Sequence, residues 1–86
     1  MTPAEALAFV RVCAEARRVV FSAHADERIS QRVGRGGRVH VLAALRSART
    51  CEPSESRWRV VGSDLDGDDL TVVVAIQDWV VVVTVF

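Results

Sequence analysis

One short segment carries the residue types and spacing best suited to chemistry. His24, Arg28 and Arg32 lie four residues apart, so in a helix their side chains form one column on successive turns. An imidazole can exchange a proton near neutral pH, and guanidinium groups can clamp a phosphate and stabilise a phosphoryl-transfer transition state. The column therefore predicts a metal-free site for RNA cleavage, with His24 as general base or acid and the arginines as phosphate ligands.

A structural interpretation of the same column is the alternative. Asp26 and Glu27 could pair with Arg28 and Arg32, and His24 could cap the helix or pack locally. The spacing is common in helices, so by itself it does not separate a catalytic column from a structural one.

Arg57-Trp58-Arg59 is the second candidate for contact with RNA. Arginines beside an aromatic ring can hold phosphates while the ring stacks on a base. In a strand, however, neighbouring side chains point to opposite faces. We therefore expect Trp58 in the core, with Arg57 and Arg59 exposed on the other face and available to phosphates.

Metal and thiol chemistry have weaker support. Aspartates surround Gly67, but a calcium loop that begins at Asp64 needs a glutamate where Ala75 stands. We expect a polar hairpin tip there, and no metal or other cofactor. Cys13 and Cys51 are far apart and form no CxxC motif, so we expect two reduced thiols.

Three helices are expected to position these side chains. Thr2-Pro3-Ala4-Glu5 has the pattern of a capping box with proline in the first turn, which predicts a helix to about Ala16. Ser22 is suited to cap a second helix, Ala23 to about Val33. After a glycine-rich break, an apolar stripe predicts a third helix from Arg38 or Val39 to about Ala48.

The apolar period changes to two at Arg57, which predicts strands. Asp66-Gly67 indicates a type I′ hairpin between the first strand and Leu70–Ile76, and Trp79–Phe86 is the third strand. Two segments are expected to be irregular, a link at Val19–Phe21 and a loop at Thr50–Ser56. The expected fold is α+β, with two to three N-terminal helices on a three-stranded antiparallel β-meander.

The charge distribution suits an anionic partner. The 86 residues fit one domain, 1–86, and half of them are apolar. All eleven arginines lie between Arg11 and Arg59 with five acids, which gives +6, whereas residues 60–86 hold five aspartates and no base. Nucleic acid fits such a basic half. Alternatively, the positive and negative side chains are both solvated surface, or they pair with each other in the fold.

Neither end of the sequence predicts a membrane segment. Glu5 and Arg11 interrupt the first apolar residues, unlike a signal peptide. The apolar run Trp79–Phe86 is much shorter than a membrane span. We therefore expect a cytoplasmic protein with no membrane partner.

The segment Phe21–Arg32 contains His24-Ala25-Asp26-Glu27-Arg28-Ile29-Ser30-Gln31-Arg32. It resembles the H-A-x-E-R-hydrophobic-x-x-R signature of a small bacterial family, domain-of-unknown-function family 4258. The strand pattern after Arg57 is also similar. The likeness covers roughly residues 19–86 and leaves an extra N-terminal helix, residues 1–17, outside it.

This resemblance implies a fold similar to RelE-like and BrnT-like toxins, which cleave RNA or form the toxic half of a toxin–antitoxin pair. It singles out His24, Glu27, Arg28 and Arg32, and Thr84 near the chain end. The implied function is an endoribonuclease acting on messenger RNA, with an antitoxin covering the basic face. The chain lacks tyrosine and lysine, which many RelE-like nucleases use.

Two further hypotheses remain open. The protein could be a non-catalytic module that binds a protein partner or a second copy of itself, because its apolar final strand could pair edge to edge across a two-fold axis. Alternatively, the His24 column could be a hydrogen-bond network that fixes the helix on the sheet.

Overall fold

A computed structural model describes residues 1–34 and 36–86, in which three helices cover one face of a five-stranded sheet. The elements, in chain order, are α1 (Pro3–Glu15), β1 (Val19–Phe21), α2 (Ala23–Arg32), α3 (Arg38–Arg46), β2 (Thr50–Ser54), β3 (Arg57–Ser63), β4 (Asp69–Ile76) and β5 (Val80–Val85). None of the helices in these residues is long and apolar enough to cross a membrane.

The protein is α+β, but the predicted three-stranded antiparallel meander is wrong. The strand order is β1-β5-β4-β3-β2. Strands β2 to β5 form an antiparallel meander, and β1 pairs in parallel with β5, with Val19 opposite Val80 and Phe21 opposite Val82. The sheet is therefore mixed, and its first strand precedes two of the three helices in the chain.

Both unexpected strands lie at the edges of the sheet. The expected link at Val19–Phe21 is β1, whose three residues are too few to display a period of two. The expected loop after Thr50 is β2, which contains Glu52 and Pro53. Proline is tolerated in an edge strand because one side of that strand needs no ladder hydrogen bonds. Local sequence therefore gives little sign of either strand.

Side-chain caps start the first two helices, as predicted. In α1 the Thr2 hydroxyl accepts from the Glu5 amide at 3.2 Å, and the Glu5 carboxylate accepts from the Thr2 amide at 2.8 Å. The Ser22 hydroxyl accepts from the Ala25 amide at 3.0 Å. It also donates to the carbonyl of Val83 at 3.3 Å, so the cap that starts α2 also attaches the helix to β5.

The core lies between the helices and the covered face of the sheet. Ala25 and Ile29 of α2 are buried in it, as expected from their spacing. Leu45 of α3 has no exposed surface and is the largest fully buried side chain. Trp58 packs against the same core. The helix layer therefore supplies small and medium apolar side chains that fill the space above a valine-rich sheet.

The hairpin between β3 and β4 has a turn where predicted, but not of the predicted type. A type I′ turn needs positive φ at both central residues. Gly67 has φ of 85°, whereas Asp66 is not among the residues with positive φ. The Gly67 amide donates to the Asp64 carbonyl at 3.1 Å, and the Asp64 amide donates to the Asp68 carbonyl at 2.8 Å. These bonds enclose a three-residue loop that ends in a left-handed glycine.

The last strand is in the interior of the sheet. β5 lies between β1 and β4, and its partners along Val80–Val82 occupy both sides. A second copy of the chain therefore cannot pair edge to edge with β5 along Val80–Val82. Val80, Val82 and Val85 are fully buried beneath the helices. On the face without helices Val81 is half-buried.

Candidate functional site

Helix α2 has a buried stripe with a polar flank on each side. Ala25 and Ile29 form the stripe, and one flank carries the predicted column. His24 and Arg32 are exposed and Arg28 is half-buried, so the column lies beside the stripe rather than opposite it. Four residues of helix rise about 6 Å, so neighbouring members are separated by about that distance along the axis.

The other flank of α2 is closed by an ion pair. The carboxylate of Asp26 accepts two hydrogen bonds from the Arg38 guanidinium, at 2.8 Å and 2.5 Å. The same guanidinium lies over the Phe21 ring, 4.6 Å from its centroid. The hydrogen bonds from Arg38 hold the pKa of the Asp26 carboxyl below its usual range. Asp26 is therefore bound to a residue of α3 and not to the column.

The ion pairs that the structural interpretation expects between the acids of α2 and the arginines of the column are not observed. Among residues 1–34 and 36–86 two ion pairs form, and neither includes His24, Arg28 or Arg32. Glu27 is exposed and is in neither pair. The column therefore presents its cationic groups to solvent without an acid from the described part of the chain.

The Asp26–Arg38 pair has a testable dependence on pH. A carboxyl whose pKa is lowered in the folded state adds stability above its unfolded pKa, and that stability is lost as pH falls through the folded value. We expect the difference in unfolding free energy between wild type and Asp26→Asn to shrink as the pH falls through 3.8, the ordinary pKa of an aspartate, and below it. Both side chains are partly exposed, so the effect should be modest.

Urea unfolding of both proteins between neutral and acid pH measures this difference. Arg38→Gln removes the partner and should abolish the same pH dependence. If Arg38→Gln retains it, another group causes the acid sensitivity.

The second candidate group lies on the opposite side of the sheet. Arg57 and Arg59 alternate with core-facing residues and are exposed on the face without helices, as predicted. The Arg59 guanidinium is 5.8 Å from the centroid of the Phe86 ring. Thr84 pairs with Val73 on this same face. The structure thus unites His24, Arg28 and Arg32, but it does not bring Arg57, Arg59 or Thr84 to them.

Part of the charge asymmetry is used within the fold. Arg49 pairs with Asp69 at 2.5 Å, which joins the basic and acidic parts of the sequence. Arg11 donates to the carbonyl of Ala48, and Arg18 donates to the carbonyl of Asp78 at 2.8 Å. Several arginines therefore connect elements, which reduces the number available to an external anion.

A shallow groove separates α1 from α3 and the β3–β4 turn. Its volume is about 1040 Å³. Val12 of α1 and Leu65 of the turn, 65% and 58% exposed, line it together with Arg46. The column on α2 does not line this groove. The sequence gives no sign of it because its walls come from segments distant in the chain.

A group of potential metal ligands lies where α3 meets the β3–β4 turn. His40, Asp64 and Asp66 each offer one ligand atom, and these atoms lie within 4.8 Å of one another. From the sequence the aspartates were considered only as a calcium loop that begins at Asp64, which was rejected. They were not connected with His40, because the histidine is in a helix and the aspartates are in a distant hairpin. The Asp-x-Asp spacing in a turn was the available signal.

No family model, no curated protein and no solved structure matches this chain. The likeness to domain-of-unknown-function family 4258 therefore stays a prediction. The chain's own residues and their geometry carry the functional argument.

The two cysteines are core residues. Cys13 and Cys51 are 3% and 5% exposed, and neither is in a disulfide. Burial raises the pKa of both thiols. A protonated, buried thiol is a poor nucleophile, so these residues act here as small apolar side chains.

Proposed function

We propose that the protein binds RNA through the column on α2 and that His24 exchanges the proton in a metal-independent cleavage. One observation carries this proposal. Arg28 and Arg32 have no acidic partner among the described residues, while the neighbouring acid Asp26 is held by Arg38.

The arginines are well placed to bind successive phosphates. Each guanidinium can donate two parallel hydrogen bonds to one phosphate group. Arg28 and Arg32 project from a helix that is anchored by the buried Ile29 and by the cap at Ser22. A rigid platform loses less conformational entropy on binding than a flexible loop, which favours affinity.

His24 is in the first turn of α2 and is exposed. The amide groups of a helix start carry partial positive charge, which adds to the attraction of phosphate. An exposed imidazole can reach the 2′-hydroxyl of a bound nucleotide. In the proposed step His24 takes that proton, the 2′-oxygen attacks phosphorus, and the bond to the 5′-oxygen of the next nucleotide breaks. The leaving 5′-oxygen takes a proton from water, and His24 afterwards releases its proton to solvent. The products are a 2′,3′-cyclic phosphate and a 5′-hydroxyl.

The openness of the column favours a polymer as the ligand. His24, Arg28 and Arg32 line none of the cavities described for this chain. Small substrates usually bind in concave sites, whereas a polymer can lie along a convex helix. An inhibitory protein of the antitoxin kind would act by covering the column with acidic side chains.

The first test compares two pairs of arginines. Fluorescence anisotropy with a labelled single-stranded RNA measures affinity at several salt concentrations. We expect Arg28→Gln/Arg32→Gln to weaken binding and to reduce the slope of log affinity against log salt by about 1 per arginine. Arg17→Gln/Arg46→Gln removes the same charge from two exposed arginines outside α2, and it should leave the affinity and the salt slope nearly unchanged. Equal losses in the two double variants would show nonspecific attraction and contradict the proposed site.

The second arm of the test separates binding from cleavage. Wild type should cleave the RNA in the presence of EDTA, and His24→Ala should abolish cleavage while RNA binding persists. Full activity in His24→Ala would exclude the assigned proton transfer. If wild type binds RNA without cleaving it, the phosphate-binding role of the arginines is retained and the catalytic role of His24 is excluded.

A further inference from the structure

We infer that His40, Asp64 and Asp66 form a binding site for a divalent transition-metal ion, of the class of Zn²⁺ or Mn²⁺. His40 lies on α3, whereas both aspartates lie in the β3–β4 turn. One potential ligand atom from each is within 4.8 Å of the others. A bound ion would therefore join the hairpin tip to the helix layer.

The donor set indicates the class of ion. One imidazole nitrogen with two carboxylate oxygens suits Zn²⁺ and Mn²⁺, whereas calcium and magnesium sites are usually all oxygen. With bonds of about 2.1 Å, two ligands of one ion are about 3.4 Å apart in a tetrahedral site and at most about 4.2 Å apart in an octahedral one. The ligand atoms lie within 4.8 Å of one another, so they must move closer together when an ion binds. Asp66 is exposed, so its side chain has room to rotate towards the other two ligands.

The ring of His40 is oriented for this role. The Leu65 amide donates to Nδ1 at 3.3 Å, which places the Nδ1 lone pair towards the turn that carries the aspartates. That bond is longer than the usual length of about 2.7 to 3.2 Å. An ion at Nδ1 must replace it, because this nitrogen has a single lone pair. An accepting Nδ1 puts the ring proton on Nε2, which is the tautomer that a metal at Nδ1 requires.

The two aspartates have different tasks. Oδ1 of Asp64 accepts from the amides of Asp66 and Asp68, at 2.8 Å and 2.9 Å. These bonds hold the Asp64 carboxylate in place and leave its second oxygen for an ion. Asp66 is exposed, and its carboxylate has no hydrogen bond among the described residues. The site thus combines a fixed ligand with a movable one.

This site is separate from the proposed RNA site. None of its three residues belongs to α2, and the proposed cleavage needs no metal. Loss of metal binding should leave RNA binding unchanged, and loss of the arginine column should leave metal binding unchanged.

Isothermal titration of the metal-free protein with ZnCl₂ and with MnCl₂ tests the inference. We expect one ion per chain for at least one of the two metals. Asp66→Asn and His40→Gln should each weaken binding by at least about tenfold, since even the outer partners of metal ligands contribute that much. Glutamine at position 40 retains an acceptor for the Leu65 amide. The Asp66 side chain is exposed and its carboxylate makes no hydrogen bond among the described residues, so Asp66→Asn should also remain folded.

Asp68→Asn is the matched control, because it removes one charge from the same turn without touching the three ligands. It should retain wild-type affinity within about twofold. The ion should also raise the melting temperature of wild type and of Asp68→Asn, and not that of Asp66→Asn. No binding by wild type, equal weakening in Asp66→Asn and Asp68→Asn, or full binding by His40→Gln would each overturn the inference.

Discussion

Gly62→Ala is expected to destabilise the protein by about 3 kcal/mol or more, at the upper end for overpacked cores. α3 crosses β3 at Gly62, which is buried. A Cβ there would overlap the carbonyl oxygen of Ala44 and lie 2.7 Å from its carbonyl carbon. Because the obstacle is helix backbone and not the end of a flexible side chain, the clash is relieved only if α3 moves away from the sheet.

The size of this effect is large for a domain of this length. Typical stabilities of about 0.05 to 0.15 kcal/mol per residue give about 4 to 13 kcal/mol for the whole chain. Urea unfolding followed by circular dichroism measures the change. Ala75→Val enlarges a residue of β4 on the face without helices and should change stability by no more than about 0.5 kcal/mol. An unchanged midpoint in Gly62→Ala would contradict the close approach of α3 to β3.

Leu45→Ala is expected to cost about 3 to 4 kcal/mol. Leu45 is fully buried on α3, in the cluster that includes Val10 of α1 and Val60 of β3. Removing its isobutyl group loses the transfer free energy of the side chain and leaves a cavity between helices and sheet, and such changes cost about 2.7 to 5.0 kcal/mol in a well-studied series. The surrounding backbone is fixed by the sheet, so the cavity should collapse little.

Leu65→Ala provides the same chemical change on the surface. Leu65 is 58% exposed, so its truncation should change stability by no more than about 0.5 kcal/mol. Chemical denaturation of both variants at one pH gives the comparison. Similar losses in the two variants would place Leu45 outside the core.

The elements predicted correctly from sequence are those with local causes. The capping box of Thr2 and Glu5 spans three residues, and the stripe of Ala25 and Ile29 depends only on helix period. The turn at Gly67 has a similarly local origin, since glycine adopts positive φ without steric cost. Its type was predicted wrongly because Asp64 closes the loop through the carbonyl of Asp68.

The elements that were predicted wrongly depend on contacts between distant parts of the chain. β1 is a strand because β5 lies beside it, and the Ser22 hydroxyl reaches the Val83 carbonyl 61 positions away. Three apolar residues contain no information about a partner so far along the chain. The place of β5 inside the sheet, with β1 beside it along Val80–Val82, follows from the same pairing.

The candidate sites also depend partly on local sequence and partly on contacts between distant parts of the chain. The sequence alone determined that His24, Arg28 and Arg32 share one side of a helix, because a period of 3.6 residues aligns them whatever surrounds the helix. Only the tertiary structure decided that Arg28 and Arg32 have no acidic partner among the described residues, since Asp26 is bound by an arginine that α3 brings alongside it. Only the tertiary structure brought His40 to the acidic turn. Helix period acts over one or two turns, whereas ion pairs and metal ligands depend on which elements pack together.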